Sequence, residues 1–263
     1  MQPNDGERFG AEERRIQQIG HGKNTAGPIL SDIVPVELSS RDLAAKYNRF
    51  ARWYDYFENA LGFLGLRKLR QSVISQASGK VLEVAVGTGQ NFRHYRSDCE
   101  VIGLDHSSGM LKIARQRATT LNFKVQFCIA DAEALPFRDC SFDTVVSSLS
   151  TCTFPNPATA LHEMARISQP SGQILLLEHG RSDREWLGRW QDRHADEFAK
   201  PFGCHWNREP LELAKAAGLK IITAQRTFFG YFIALQPYPP RDNRKRTNQA
   251  KTNLILARSL KRS

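Results

Sequence analysis

Short apolar runs alternate with longer segments of helical spacing through the middle of the chain. Runs of four to six mostly apolar residues predict five buried strands: Val81–Val86, Val101–Leu104, Val125–Ile129, Phe142–Ser147 and Gln173–Glu178. Segments with apolar residues three and four positions apart predict three intervening helices at Asn91–Tyr95, Gly109–Ala118 and Ala158–Ile167. Strands separated by helical stretches of this length favour parallel βαβ units in an α/β fold.

The pattern changes after residue 180. Residues 183–202 are rich in Trp, Arg and Asp and predict a helical insert, and Glu209–Ala217 predicts another helix. Two last strands, Lys220–Arg226 and Tyr231–Leu235, are expected to run antiparallel to each other across a short glycine-containing turn. The prediction is therefore a sheet of seven strands, mostly parallel, with an antiparallel C-terminal strand.

The same pattern divides the chain into four segments. Residues 1–38 lack periodicity and predict a flexible leader. Residues 39–78 predict two amphipathic helices, and residues 79–237 predict the α/β domain. Residues 238–263 form a basic tail.

The positive charge is concentrated in that tail. From Arg241 to the end there are eight Lys or Arg and one Asp, which gives +7 of the formal net charge of +10. A tail of this kind indicates an anionic partner, either a membrane surface or nucleic acid. A solvated tail that only aids solubility is the alternative.

The cysteines indicate a reducing compartment. The chain has five, an odd number, without a CxxC pair: Cys99, Cys128, Cys140, Cys152 and Cys204. This usage argues against a disulfide framework or a structural zinc site, so no metal is expected. The first residues are polar, and the longest apolar runs are too short to cross a bilayer. We expect a cytoplasmic protein, with peripheral attachment to the inner face of a membrane as a further hypothesis.

A glycine turn follows the first predicted strand and indicates a nucleoside site. Gly87 and Gly89 allow backbone groups to approach a ligand, and Asp105 at the next strand end can accept from ribose hydroxyls. A tight turn needed only for packing is the structural alternative. A third glycine for a pyrophosphate is missing, and Glu83 would repel a diphosphate but favour a cationic amino-acid or sulfonium ligand.

Asp131 follows the third predicted strand and has two interpretations. Its side chain can accept from the exocyclic amine of an adenine, or it can cap the next short turn. Asp143, which opens the fourth predicted strand, fits the fixing of a loop better than ligand binding.

Four segments in order resemble the motifs of class I S-adenosylmethionine-dependent methyltransferases: Leu82–Gly89, Gly103–Leu111, Ala130–Phe137 and Ser141–Val146. They are most similar to the branch of ubiquinone/menaquinone-biosynthesis methyltransferases and bacterial phospholipid N-methyltransferases, with a type 11 methyltransferase domain. The resemblance covers roughly residues 45–236 and implies a Rossmann-like, doubly wound sheet with S-adenosylmethionine as cofactor.

The resemblance also implies eight cofactor-binding residues. They are Glu83, Ala85, Gly87 and Gly89 at the methionine moiety, Asp105 at the ribose, Met110 beside the adenine, and Asp131 with Ala132 at the adenine edge. The family usually has glycine at position 85, where this chain has alanine. The extra methyl group is expected to tighten the pocket and to weaken cofactor affinity.

Two further segments resemble functional parts of related proteins. Residues 47–55 are similar to the aromatic N-terminal helix that folds over the cofactor as a lid, and a plain amphipathic helix is the alternative. Leu177–Arg181, Trp186, Trp190 and Gly203–Trp206 resemble animal membrane-associated thiol methyltransferase-like proteins and their fungal relatives.

The predicted reaction is methyl transfer to a hydrophobic small molecule, either a prenylquinone or a phospholipid amine. His179, at the end of the fifth predicted strand, is the candidate general base, and a structural histidine is the alternative. Other hypotheses are a thiol methyltransferase, an RNA methyltransferase and a non-catalytic cofactor-binding assembly factor. Nucleic acid is disfavoured because residues 150–157 lack the Pro-Pro-aromatic turn that stacks a flipped base.

Overall fold

The structure is a computed structural model that describes Tyr47 and residues 66–238, except for the side chains at positions 201, 202 and 238. The predicted leader, the predicted lid apart from Tyr47, and the tail after residue 238 lie outside these residues. The assignments for those three segments therefore stay predictions.

Seven strands in the described part of the chain form one sheet in the order β3-β2-β1-β4-β5-β7-β6. They are β1 Lys80–Val84, β2 Glu100–Asp105, β3 Val125–Ile129, β4 Phe142–Ser148, β5 Ser168–His179, β6 Lys220–Thr227 and β7 Phe232–Tyr238. The first five are parallel, and β7 runs antiparallel to both β5 and β6. The predicted mostly parallel sheet with an antiparallel C-terminal strand is confirmed.

Five α-helices lie among the described residues: α1 Arg67–Ile74, α2 Ser108–Thr120, α3 Pro157–Ile167, α4 Glu185–Phe202 and α5 Pro210–Ala216. Two of them begin at side-chain caps. Ser107 accepts from the backbone N–H of Met110 at the start of α2, and Asn156 accepts from that of Thr159 at the start of α3. The cap of α2 matters for function, because this helix begins directly after β2.

Two predicted elements differ from those observed. The expected helix at 91–95 is a single 3₁₀ turn, Phe92–His94. The Phe92 ring packs directly against the glycine loop and stacks on Phe123, so the chain turns into the core before a longer helix can form. The fifth strand begins at Ser168 rather than residue 173, because Phe142 pairs with Ser168 and Thr144 with Gln173 across an irregular register.

Helices cover both faces of the sheet, which explains the near-continuous apolar strands. Leu82 and Val84 of β1 pack in one apolar cluster with residues of α3, whereas Val81 packs in the other with residues of α1 and α2. Successive side chains of a strand point to opposite faces, so both faces of β1 must be apolar. Each helix in the described part of the chain is too short or too polar to span a bilayer.

Candidate functional site

A cavity lies at the carboxyl ends of β1 to β4, where the strand order reverses between β1 and β4. Open α/β sheets bind ligands at such a switch point because the loops on either side diverge and leave a crevice. Six of the eight predicted cofactor-binding residues line it: Ala85, Gly87, Asp105, Met110, Asp131 and Ala132. The structure therefore brings together residues from the ends of three strands.

The loop after β1 has left-handed backbone conformations at Ala85, Gly87 and Gly89, with φ of 53°, 55° and 78°. A Cβ at Gly87 would have, among the described residues, only the Ala85 carbonyl within reach, at 4.0 Å, so this part of the chain leaves the space above Gly87 open. At Gly89 a Cβ would lie 2.3 Å from the Phe92 ring. Gly87 thus permits close approach of a ligand, whereas Gly89 permits packing.

Asp105 connects this loop to the end of β2. Its Oδ2 accepts from the backbone N–H of Gly87, and its Oδ1 accepts from that of Ser107, both at 2.8 Å. Burial raises the pKa of this carboxyl above its ordinary value, while the two N–H groups act in the opposite direction. Each carboxylate oxygen keeps a further lone pair, so the fixed side chain can still accept from two hydroxyls.

The third part of this wall follows β3. Asp131 Oδ1 accepts from the backbone N–H of Glu133 at 2.9 Å, so the side chain caps its own turn. It also lines the cavity, as do Ala132 and the buried Met110 at the start of α2. Both interpretations of Asp131 are compatible with this position, and its contact with adenine stays a prediction.

Sequence comparison agrees with this geometry. The methyltransferase domain family matches residues 82–176. A ubiquinone/menaquinone biosynthesis C-methyltransferase of Ectopseudomonas mendocina is 31% identical over 176 residues, which is 63% of this chain and 68% of that protein. The chain belongs to the S-adenosylmethionine-dependent methyltransferase family. The cofactor of this family is S-adenosylmethionine.

The chain spans a smaller share of the length of three other relatives. The mitochondrial methyltransferase OMS1 of Saccharomyces cerevisiae is 28% identical over 216 residues, which is 73% of this chain but 45% of that protein. The chain likewise spans only 58% and 63% of two demethylmenaquinone methyltransferases. A SAM-dependent methyltransferase structure from Thermotoga maritima has a TM-score of 0.55 at 21% identity, covering 72% of this chain and 98% of that one, which shows the shared fold.

The cofactor-side residues fit S-adenosylmethionine. Asp105 keeps acceptor capacity for ribose hydroxyls, and the open space above Gly87 admits the ligand close to the backbone. Leu104 and Met110 supply apolar contact for a base, and Asp131 lies at the same wall.

Glu83 and Gly89 are not among the residues that line the cavity. The Glu83 carboxylate accepts from Asn91 Nδ2 at 2.7 Å and from the Tyr95 hydroxyl at 2.8 Å. Asn91 in turn accepts from the buried guanidinium of Arg70. This network joins α1, β1 and the 3₁₀ turn, so these bonds give Glu83 a role in shaping the loop. Its contact with the methionine moiety stays a prediction.

The opposite wall of the cavity follows β4 and is more apolar. It contains Leu149, Phe154 and Pro155, together with Ser148, Ser150 and Thr153. Tyr47 lines the same cavity, and a side-chain hydrogen bond links it to Thr153. Burial raises the pKa of the Tyr47 hydroxyl well above its ordinary value, so it stays protonated at neutral pH. The lid role of residues 47–55 stays a prediction, since Tyr47 is the only one of them that is described.

Glu178 organises this wall from behind. Its buried carboxylate accepts from the backbone N–H groups of Ser150 and Thr151, at 3.0 and 3.2 Å, and from the Ser147 hydroxyl at 3.1 Å. Burial raises the pKa of Glu178 above its ordinary value. The end of β5 therefore fixes the turn that follows β4.

His179, the candidate general base, does not line the cavity. It is 9% exposed, its Nε2 lies 3.4 Å from Cys204 Sγ, and its ring stacks on Tyr231. Burial acts to lower the pKa of His179, but the neighbouring Cys152 and Glu178 outweigh it and raise the pKa. Its role in proton transfer stays a prediction.

Sequence reasoning missed two parts of the site. It treated residues 148–155 only as a loop that lacks a base-stacking turn, although their position after a strand beside the switch point could have indicated a cavity wall. It also treated the cysteines as scattered, whereas the fold brings two of them together with His179. No spacing in the sequence signals that second group.

Proposed function

We propose that this methyltransferase transfers a methyl group from S-adenosylmethionine to a hydrophobic small molecule. The first candidate acceptor is a prenylquinone ring, and the second is a phospholipid amine. The observation that carries the proposal is one cavity with two unlike walls. Asp105 and Gly87 form a polar wall suited to the cofactor, and Leu149, Phe154 and Tyr47 form an apolar wall suited to such an acceptor. Relatives named for ubiquinone/menaquinone biosynthesis support the choice of acceptor.

The protein's contribution is mainly one of position. The bound cofactor supplies an electrophilic methyl carbon, so the chain has to align the acceptor and to exclude water. Asp105, held by two backbone N–H groups, orients the ribose end. Leu149 and Phe154 remove water from the acceptor side, and the protonated Tyr47 can donate a hydrogen bond to an acceptor oxygen.

Titration calorimetry with S-adenosylmethionine tests the cofactor half of the proposal. Asp105→Asn is expected to weaken binding about 10- to 100-fold, because hydrogen bonds to a charged acceptor contribute roughly 1.5–3 kcal/mol. Asp98→Asn is the matched control, since Asp98 is exposed and its ion pair among the described residues is with Arg96. Equal affinities for the native chain and the Asp105 variant would contradict the assigned ribose site.

Transfer of a labelled methyl group tests the acceptor half. The full chain is incubated with labelled cofactor and with separate pools of demethylated prenylquinols, phospholipids, lipophilic thiols and total RNA. We expect label in the prenylquinol pool first. Label confined to thiols or to RNA would replace the proposed acceptor class. Cofactor binding without transfer to any pool would favour a non-catalytic assembly factor.

We further propose that α4 contacts an anionic membrane surface from which such an acceptor is taken. One face of α4 carries two tryptophans and two arginines at helical spacing: Trp186, Arg189, Trp190 and Arg193. Trp186 is 68% exposed and Trp190 is 47% exposed, which is unusual for large aromatic side chains in water. Tryptophan favours the lipid headgroup region, and arginine is attracted to anionic lipids.

Flotation with vesicles of anionic and of neutral lipid tests this contact. We expect Trp186→Ala to reduce the fraction bound to anionic vesicles several-fold, because a single exposed side chain supplies much of the apolar contact. Phe229→Ala is the control, as Phe229 is also a largely exposed aromatic residue but lies on the β6–β7 turn. Removing residues 239–263 in a third variant separates the contribution of α4 from that of the basic tail.

A further inference from the structure

The apolar wall of the cavity, with Leu149, Phe154 and Tyr47, is termed the acceptor wall. Three side chains with metal-binding atoms meet next to it. Cys152 lies in the turn after β4, His179 ends β5, and Cys204 follows α4. Their ligand atoms all lie within 4.8 Å of one another. Cys152 is 2% exposed and His179 is 9% exposed, so these two ligands are shielded from solvent, whereas Cys204 is half-buried. Cys152 is adjacent to Thr153, which lines the cavity, so the two sites share a segment.

The distances fit a tetrahedral cation. Zn²⁺ binds thiolate at about 2.3 Å and imidazole at about 2.1 Å, which places the nitrogen and sulfur ligands about 3.5 Å apart and two sulfurs about 3.8 Å apart. His179 Nε2 and Cys204 Sγ are 3.4 Å apart. A cation could therefore be bound with side-chain adjustments of less than about 1 Å.

The fold holds the three ligands in place through separate contacts. The backbone N–H of His205 donates to the Cys152 carbonyl at 2.9 Å, which joins the two cysteine segments. The Tyr231 ring stacks on His179 at 5.2 Å and 8°. Arg208 donates to the carbonyls of Thr151 and Phe154, both at 2.7 Å, and fixes the turn that carries Cys152. Such supporting contacts are what a pre-organised metal site needs.

Outside the group itself, Cys152 has a weak hydrogen-bond partner among the described residues. Cys152 Sγ lies 4.0 Å from the Leu149 carbonyl, the limit for a sulfur hydrogen bond. Burying polar atoms in this state costs free energy. A divalent cation with two thiolates and a neutral imidazole has no net charge, which suits a shielded position.

We propose that Cys152, His179 and Cys204 form a site for a thiolate-preferring divalent cation, with Zn²⁺ as the probe. Three protein ligands leave a fourth position for water or another small ligand. With this role, His179 acts as a ligand rather than as the general base of methyl transfer. The site does not depend on which acceptor is methylated, so its test is separate from those of the proposed function.

Metal titration of the full chain, reduced and freed of metal with a chelator, is the first test. We expect one Zn²⁺ per chain in competition with a chromogenic chelator, and a thiolate-to-metal absorption band when Co²⁺ is used instead. Cys152→Ser, Cys204→Ser and His179→Gln should each weaken Zn²⁺ binding at least 100-fold. Cys128→Ser and His162→Gln are the controls, and S-adenosylmethionine binding by every variant reports that it folds.

Alkylation of the native chain is the second test and needs no variant. Zn²⁺ should protect Cys152 and Cys204 from a thiol reagent, as read by mass spectrometry, and leave Cys128 and Cys140 unprotected. The proposal is overturned if Zn²⁺ protects neither Cys152 nor Cys204. It is also overturned if the three single variants of the ligands each bind Zn²⁺ as tightly as the native chain. Loss of two free thiols in air, with no metal binding by the reduced chain, would identify a Cys152–Cys204 disulfide and would also overturn it.

Discussion

The two walls of the cavity are built by different kinds of contact. The cofactor wall consists of short loops after β1 and β2 whose backbone N–H groups donate to a carboxylate at the end of β2, the next strand in sequence after β1, as Gly87 and Ser107 do with Asp105. The acceptor wall depends on side chains that are distant in sequence, such as Glu178, which binds the backbone at Ser150 and Thr151. The first wall can therefore be recognised from local motifs, whereas the second exists only when strands β4 and β5 are aligned.

The contrast also separates two ways in which a site can fail. Changes in the cofactor wall should act through steric fit and backbone conformation, because glycines and positive φ angles define it. Changes in the acceptor wall should act through unsatisfied buried polar groups, because hydrogen bonds donated to one carboxylate, that of Glu178, define it. The four predictions below test this distinction.

Gly89→Ala should have the largest effect on stability. The new Cβ would meet the Phe92 ring at 2.3 Å, and φ is 78°. Overpacking and left-handed backbone each cost about 1–2 kcal/mol, so we expect unfolding to become about 3 kcal/mol easier in denaturant titration. Gly218→Ala is the matched control, because φ is 76° there and nothing lies within 4 Å of the new Cβ. Equal losses for both variants would show that packing on Phe92 is unimportant.

Glu178→Ala should come next, at about 2 kcal/mol. It leaves the buried N–H groups of Ser150 and Thr151 without their carboxylate partner. Glu178→Gln keeps an acceptor oxygen and should lose less. Because burial raises the pKa of Glu178, its stabilising contribution is greatest below the ordinary glutamate pKa and is lost as pH rises through the raised one. The difference in unfolding free energy between the native chain and the glutamine variant should therefore shift in favour of the variant as pH rises. A difference that stays constant with pH would contradict the effect of burial on Glu178.

Cofactor affinity should fall on acidification because Asp105 must be ionised to accept strongly. Burial raises the pKa of this carboxyl, so the loss should begin at a higher pH than for an ordinary aspartate. Below that pKa the affinity should decrease by up to about tenfold per pH unit, as measured by calorimetry. The Asp105→Asn variant should show a flat profile over the same range. A native profile equally flat would argue against the role of Asp105, provided circular dichroism shows a folded chain.

Ala85→Gly should have the smallest effect. Ala85 has φ of 53°, a left-handed conformation that costs alanine about 1 kcal/mol, partly offset by the greater freedom of glycine in the unfolded chain. We expect a change in unfolding free energy below about 1 kcal/mol and modestly tighter cofactor binding, because the side chain lines the cavity. Cys140→Gly, with φ also 53° but outside the cavity, should leave cofactor affinity unchanged.

Local sequence was sufficient for most of the fold. The predicted β3 is observed residue for residue, and the other predicted strands and helices of the parallel core lie close to those observed. The signals that specify these elements are local, because each involves residues only a few positions apart. They are the apolar periodicity, the glycine turn and the helix caps at Ser107 and Asn156. The exceptions were the 3₁₀ turn after β1 and the irregular start of β5, where packing on Phe92 and the register with β4 decided the conformation.

The sequence by itself determined the parallel sheet, its reversed last strand and the glycine loop after β1, because each depends on the order of residues along one segment. Only the tertiary structure decided that Glu83 joins a buried network away from the cavity wall, and that Cys152, His179 and Cys204 meet. The three members of that group lie after β4, at the end of β5 and after α4, and more than twenty residues separate each from the next. Their proximity follows from the adjacent carboxyl ends of two parallel strands, which no spacing within a single segment can specify.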